Sequence, residues 1–410
     1  MCFGLLGESL PHSFSPQIHA ELGNYDYFIY EKKPDELEKF FQHGEFNGLN
    51  VTIPYKKSVI PFCKNLSDTA RTVGSVNTII RNSDGSLYGD NTDYYGFMHL
   101  LKKTNMSPAG GKTLILGSGG SSLTVQSVLG DMGAKDVIVV SRRGPVNYDN
   151  IEEHNDAALI INTTPVGQYP GNGLSPIPHL KIFHQCQAVV DLIYNPSRTE
   201  LMLQAEEQGI LTLNGLDMLV AQAKRSAEIF TNSSISDDVI EAIVEKIKLL
   251  TSNIVLIGMP GCGKTSIGKV LAEIMERKFA DTDTLIEEKA GKAVTSILTE
   301  DGENVLRILE TEALQKLCKE NGLVIATGGG AVTQPRNKRI IMQNGIVVYL
   351  DRDIDQLDLS NRPLSQKNSI AALAAERLPI YSQWSEHTVQ VRGVNETAAD
   401  IYKKLMEKIK

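Results

Sequence analysis

The nine residues GMPGCGKTS, 258–266, stand between an apolar run, NIVLIG, and a helical one, SIGKVLAEIME. Gly258, Gly263, Lys264 and Thr265 fit GxxxxGK[ST], and a strand before with a helix after is the setting that motif requires. It commits this part of the chain to a strand–loop–helix unit on a parallel sheet. At the helix N-terminus the backbone N–H groups of Gly261, Cys262, Gly263 and Ser266 can converge on the phosphates of ATP. Lys264 reaches the terminal phosphates, and the Thr265 hydroxyl serves magnesium.

This loop opens after 257 residues of a 410-residue chain. A typical domain holds roughly 150 residues, so two or three cores are expected. A second glycine loop, LILGSGGSS, supplies Gly117, Gly119, Gly120 and Ser121 between a strand and the helical run LTVQSVLGDMG, which is a dinucleotide fingerprint. The two loops differ in pattern, so duplication of one module does not account for the length. At the next strand end, where an acid would hold the ribose hydroxyl of NAD, the sequence reads VVSRRG. Arg142 and Arg143 are either a solvated pair or, beside a dinucleotide loop, a site for the 2′-phosphate of NADP.

Apolar runs alternate with helical patterns throughout (TLILG, DVIVVS, ALIINTT, AVVDLIY, NIVLIG, LVIATGGG, IVVYLD), which predicts parallel sheets with crossover helices. SDDVIEAIVEKIKLL places Val239, Ile240, Ile243, Val244, Ile247 and Leu250 at helical spacing behind a Ser236 cap, and TSN then leads directly into the next strand. A boundary near 249–253 with almost no linker follows. A net charge of −8 argues against a nucleic-acid surface. The cysteines (2, 63, 186, 262, 318) form no CxxC pair, so neither disulfides nor a structural zinc is expected. No apolar stretch approaches the ~20 residues of a membrane span and the first residues lack a signal pattern, so a cytoplasmic protein with no membrane partner is expected.

Several short stretches carry candidate chemistry. FADTDTLIEE sets Asp281 and Asp283 two apart at an expected strand end, where both can face the phosphates, one toward magnesium and one toward a substrate hydroxyl; solvated acids in an Asx turn are the alternative. LPHSFSPQIH sets Ser13 and Ser15 two apart. GLNVTIPYK carries Asn50, Thr52 and, just past a strand end, Lys56, a candidate acid or base. GSVNTI contributes Asn77, and GDNTDYYGF gathers Asp90, Asn91 and Asp93, a polar loop that could equally be a decorated turn.

GMPGCGKTSIGK, FADTDTLIEE, GENVLRILE, IATGGGAV and NRPLS together resemble shikimate kinase across nearly all of 253–410. The resemblance implies that Asp281 orders magnesium, that Asp283 positions or deprotonates the accepting hydroxyl, and that Arg307 and Arg377 grip the substrate carboxylate. Gly328, Gly329 and Gly330 would bring backbone amides to the ring, and Arg362 would come from a lid to neutralise the transferred phosphoryl group. Two departures stand out: Leu350 to Arg362 and Arg362 to Arg377 are each shorter than the family pattern, and RPLS replaces RPLL. They imply a lid that closes less completely.

From residue 1 to about 249, HSFSP, NVTIPYK, GSVNTI, NTD, the glycine loop, INTTPVG, DLIYNP and GLDMLVAQA resemble shikimate dehydrogenase in the family's order. The resemblance implies that Ser13, Ser15, Asn50, Thr52, Asn77 and Gln222 contact shikimate and that Lys56 and Asp93 transfer the proton. Tyr194, Gly215 and the turn Asn162, Thr163, Thr164 would line the nicotinamide side. The expected architecture is therefore α/β: a substrate-binding part from 1–105 and 215–249, a Rossmann NADP(H)-binding part over 106–214, and a P-loop kinase domain over 253–410 of the nucleoside-monophosphate-kinase kind. The implied substrates are 3-dehydroshikimate and shikimate. A preference for NAD or quinate in the first half, or a ligand-sensing module that has lost catalysis, remains open at this point.

Overall fold

The computed structural model describes residues 1–10, 13–358 and 370–407. The chain divides into two compact units. The first is Met1–Val166, Ser175–Tyr194 and Gln204–Ile247; the second is Gly167–Leu174, Asn195–Leu203 and Lys248–Lys410. Two stretches of the expected Rossmann segment thus group with the second unit. Asn195–Leu203 is tied there through its backbone: the Ser197 N–H donates to Asn344 Oδ1 at 2.8 Å and the Arg198 N–H to the Gln343 carbonyl at 2.9 Å.

The first unit holds two sheets. One is six-stranded, in the order Asp26–Glu31, Cys2–Gly7, Gly48–Val51, Thr78–Arg81, Leu87–Asp90, Asn65–Leu66. It is mixed rather than wholly parallel as expected, because Thr78–Arg81 runs antiparallel to both of its neighbours. The other sheet is parallel throughout, in the order Leu211–Asn214, Ala188–Asp191, Leu159–Asn162, Lys112–Leu116, Asp136–Val140. Strand order reverses between Lys112–Leu116 and Leu159–Asn162, so a crevice opens at their carboxyl ends, where open α/β sheets bind ligands.

Helix Leu216–Thr231 shows how the substrate part closes. Leu216, Val220, Ala221, Ala223 and Ala227 recur at helical spacing and pack with Ile18 and Leu22 of one helix and Ile240, Ile243, Val244 and Ile247 of another. That last helix, Asp238–Thr251, is joined to strand Asn253–Ile257 by Ser252 alone. Leu250, expected on its apolar stripe, is exposed at the helix end, and Leu249 is buried instead in the core of the second unit.

The second unit is built on one parallel sheet, ordered Phe279–Asp281, Val324–Ala326, Asn253–Ile257, Gly345–Asp351, His387–Gln390. Strand residues alternate between two cores: Ile254, Leu256, Val348 and Leu350 enter one, while Val255, Ile257, Val347 and Tyr349 enter the other. A strand buried on both faces reads as a continuous apolar run, which is why NIVLIG and IVVYLD are uninterrupted. All five cysteines are free, and no described helix is long and apolar enough to cross a membrane.

Candidate active sites

In the first unit, chain reversals bring Lys56 to Asp93. Lys56 lies beyond strand Gly48–Val51, Asp93 is the first residue of helix Asp93–Lys102, and the Lys56 Nζ donates to Asp93 Oδ2 at 2.6 Å. Both side chains remain partly accessible, at 31% and 15%. Beside them, Asn77 Nδ2 donates to Gln222 Oε1 at 3.4 Å, and Asn77 Oδ1 accepts the Thr92 N–H at 2.7 Å. Asp90 and Asn91 have structural roles: Asp90 accepts from Ser67, and Asn91 donates to Ser75. Within GDNTD the decorated turn and the candidate acid therefore coexist.

Ser13 and Ser15 do not alternate along a strand. Ser15 opens a helix, and its N–H donates to Ser13 Oγ at 3.2 Å. Asn50 is only 5% exposed, and Tyr27 donates to its Oδ1 at 2.8 Å. Thr52 lies at the end of the same strand segment, its N–H bonded to the Leu6 carbonyl.

His19 stacks on Tyr27 with ring centroids 4.0 Å apart, and its Nδ1 lies 2.8 Å from the Tyr25 hydroxyl. Burial pushes the imidazole pKa down to about 3, with the Asn50 contact opposing. The unfolded chain therefore binds a proton that the folded one refuses, and stability rises with pH between about 3 and 6.5. Moving from pH 7 to pH 5 is expected to cost the first unit about 2 kcal/mol through this group. Urea midpoints at the two pH values, compared with those of His19→Gln, check this: the variant should lose most of that dependence.

At the crevice, Gly117 takes φ +103°, and a Cβ there would lie 2.8 Å from Thr163 Oγ1 and 2.9 Å from Thr164 Cγ2. Glycine is thus required where the two loops meet, while Gly119 and Gly120 face open space and leave their backbone approachable. Ser121 is exposed on the first turn of helix Gly120–Asp131. Asn162 is fully buried, its amide spent on Asp191 and on Thr164. These bonds make it a residue that shapes the turn beside the glycine loop. A Cβ on Gly215 would strike the Leu192 carbonyl, so glycine is needed beside Tyr194. Arg142 and Arg143 are exposed at the edge strand's end, with no acid paired to them among the described residues.

In the second unit, Gly258, Gly261 and Gly263 have φ of +149°, +78° and +104°, which L side chains rarely adopt. Lys264, 7% exposed, donates to the carbonyls of Gly258 and Met259 at 2.8 and 3.0 Å. Cys262 is buried, Ser266 is exposed on helix Lys264–Ile274, and the Thr265 hydroxyl donates to Asp281 Oδ2 at 2.7 Å. Asp281 ends its strand and caps the next helix by accepting the Asp283 N–H at 2.9 Å. Asp283 stands on that helix, so the expectation that both acids sit on one strand is corrected; helix geometry rather than strand alternation aims them. The Asx cap and the candidate metal role are shared by one residue.

Arg307 and Arg377 are 5% and 3% exposed, and the Nε of each is buried without a partner. Arg307 pairs with Glu310 at 2.6 Å and Glu303 at 2.7 Å; Arg377 donates to the Gly329 carbonyl at 3.3 Å, which also accepts from Tyr381. The triple glycine is a matter of space: a Cβ on Gly330 would strike Arg307, one on Gly328 would strike Glu310, and one on Gly329 would lie 2.8 Å from Pro260. Glu310 is a residue the sequence reading missed. Burial pushes its carboxyl above the usual range, Arg307 opposes, and Asp283 adds to the rise. Its i, i+3 spacing from Arg307 was the available signal. Arg362 and the RPLS stretch lie outside the described residues.

Comparison with known proteins agrees with both halves. The family model for the shikimate dehydrogenase substrate binding domain matches residues 5–79, and that for shikimate kinase matches residues 260–410. A shikimate dehydrogenase (NADP(+)) of Clostridium perfringens is 34% identical over 267 residues, covering 60% of this chain and 98% of that protein. The crystal structure of a chorismate mutase/shikimate 5-dehydrogenase fusion protein from Clostridium acetobutylicum is 35% identical, with a TM-score of 0.57, over 60% of this chain and 97% of that one. Shikimate 5-dehydrogenase from Thermus thermophilus, solved with NADP(H) and shikimate, is 27% identical, with a TM-score of 0.54, over 60% of this chain and 99% of that one. Through that first 60% the chain belongs to the shikimate dehydrogenase family, and behind it the chain carries a shikimate kinase domain.

Proposed function

We propose that the chain reduces 3-dehydroshikimate to shikimate with NADPH and then phosphorylates shikimate to shikimate 3-phosphate with ATP and magnesium. The observation that carries this reading is the presence, in one chain, of two intact constellations: the Lys56–Asp93 pair, and Lys264 with the Thr265–Asp281 pair and the buried Arg307 and Arg377. Their retention argues against a sensing module that has lost catalysis.

When bound, NADPH supplies a hydride and ATP–Mg a phosphoryl group. The residues fit both. Gly119 and Gly120 leave backbone open for a pyrophosphate, and the hydroxyl of Thr265 with the carboxylate of Asp281 offers the hard oxygen donors magnesium takes, which usually number one or two from the protein. In the reduction, the Lys56 ammonium gives its proton to the oxygen of the carbonyl being reduced, and Asp93 holds the ammonium in place. In the phosphorylation, Asp283 orients the accepting hydroxyl and takes its proton. Arg307 and Arg377, each nearly buried and each with an Nε that has no partner, hold the substrate carboxylate, for which guanidinium forks are suited. The reading is tested by following NADPH consumption with 3-dehydroshikimate and ADP formation with shikimate separately; absence of either turnover contradicts it.

Arg142 and Arg143, exposed and unpaired, favour NADP over NAD. Arg142→Ala should raise KM for NADP roughly 10- to 100-fold, the value of a hydrogen bond to a charged group, with KM for NAD little changed. Equal kcat/KM for the two cofactors in the parent chain would overturn this preference.

A further inference from the structure

Beneath the reduction site lies a buried triangle of hydroxyls that no part of the mechanism above uses. Ser226 Oγ is 2.9 Å from Thr78 Oγ1 and 3.0 Å from Thr92 Oγ1, and the two threonine oxygens are 3.1 Å apart. Ser226 and Thr78 are fully buried and Thr92 is 1% exposed. The three come from helix Leu216–Thr231, strand Thr78–Arg81 and the residue capping helix Asp93–Lys102, which are distant in sequence.

Each member of the triangle touches a residue expected to face the substrate. Asn50 Nδ2 donates to Ser226 Oγ at 2.7 Å and to Thr78 Oγ1 at 3.3 Å. Ser226 donates its one proton to the Gln222 carbonyl at 2.9 Å, a turn back on its own helix. It then accepts from Asn50 and from one threonine, which uses both lone pairs and saturates the hydroxyl. Asn77 Oδ1 lies 3.1 and 3.2 Å from the Thr78 and Thr92 hydroxyls, and Thr92 also reaches Gln222 Oε1 at 3.3 Å. Thr92 immediately precedes Asp93, so the position of the Asp93 carboxylate is coupled to the same triangle.

We propose that Ser226, with Thr78 and Thr92, is a positioning element of the reduction site, fixing the amides of Asn50, Asn77 and Gln222 and the start of the helix that presents Asp93 to Lys56. This rests on the dehydrogenase reading above. A buried network holds its members in one arrangement only while every donor and acceptor is used, and deletion of the central hydroxyl leaves the Asn50 amide without a partner on one side. A shift of about 1 Å at a reacting group can cost on the order of 100-fold in rate.

The test is shikimate oxidation with NADP by the full chain, with thermal unfolding followed alongside as a report that the first unit, which carries the triangle, is folded. Ser226→Ala should lower kcat/KM for shikimate about 10- to 100-fold, through both a higher KM and a lower kcat, with KM for NADP within about twofold of the parent. Thr78→Val, which keeps the shape and loses the hydroxyl, should behave likewise, and Thr78→Ser should restore most of the loss; this pair decides the matter if Ser226→Ala does not fold. A purely structural role would lower the melting temperature without moving kcat or KM well below it. Parent-like kcat and KM for shikimate in folded Ser226→Ala, or Thr78→Ser as impaired as Thr78→Val, overturns the proposal. If the parent chain itself fails to oxidise shikimate with NADP, the dehydrogenase reading fails, and this inference falls with it for that separate reason.

Discussion

Replacing Lys264 by Ala should lower phosphorylation of shikimate roughly a thousandfold or more, the scale of losing a cation that stabilises charge in phosphoryl transfer. The Lys264 ammonium is nearly buried and held over the loop by two backbone carbonyls, so its charge sits at a fixed point beside the phosphate cradle. Reduction of 3-dehydroshikimate should stay within about twofold of the parent, because every residue assigned to it lies in the first unit. With both substrates supplied, shikimate should accumulate. Separate assays of the two half-reactions check this. Loss of both activities in a folded variant would mean that the two sites are one coupled system.

Lys56→Ala should do the reverse. A positioned general acid commonly contributes about 10²- to 10⁴-fold, and the ammonium of Lys56 is the group placed 2.6 Å from the acid that orients it. The loss should appear in kcat with little change in KM for NADP, since Lys56 is separate from the glycine loop that holds the dinucleotide. Asp93→Asn should fall between parent and Lys56→Ala: it keeps the shape at Asp93 and removes the charge that holds the ammonium. Phosphorylation of added shikimate should be nearly unchanged in both variants.

Much of the architecture was legible because it is local. Strands buried on both faces read as unbroken apolar runs, and a glycine loop set between such a run and a helical pattern marks a strand–loop–helix unit that binds phosphate. The mixed sheet was less legible. Whether GSVNTII pairs parallel or antiparallel with its neighbours depends on chain reversals between distant segments, which periodicity does not encode. The same limit applies to the sites. Lys56 and Asp93 were each weak candidates alone, and only the fold puts them in contact.

Glu310 reads as one of several acids on a solvated helix face until the helix is laid against the triple glycine. Asn162 reads as a ligand-facing turn residue, yet Asp191, 29 residues away, claims its amide. Asp281 and Asp283, two apart, read as one strand's alternation, but the strand stops at Asp281 and the helix begins one residue later. Ser226 carries no sequence signal, because a serine on an amphipathic helix is ordinary until its oxygen is seen among the side chains of Asn50, Thr78 and Thr92.

The central claim is that one chain performs two consecutive steps on one molecule. It is tested most directly by incubating the protein with 3-dehydroshikimate, NADPH, ATP and magnesium and following the products by mass spectrometry. 3-Dehydroshikimate should disappear, shikimate should pass through as an intermediate, and shikimate 3-phosphate should accumulate with one NADPH and one ATP consumed for each molecule formed. A mixture that stops at shikimate, or in which 3-dehydroshikimate is never reduced while added shikimate is phosphorylated, would contradict it.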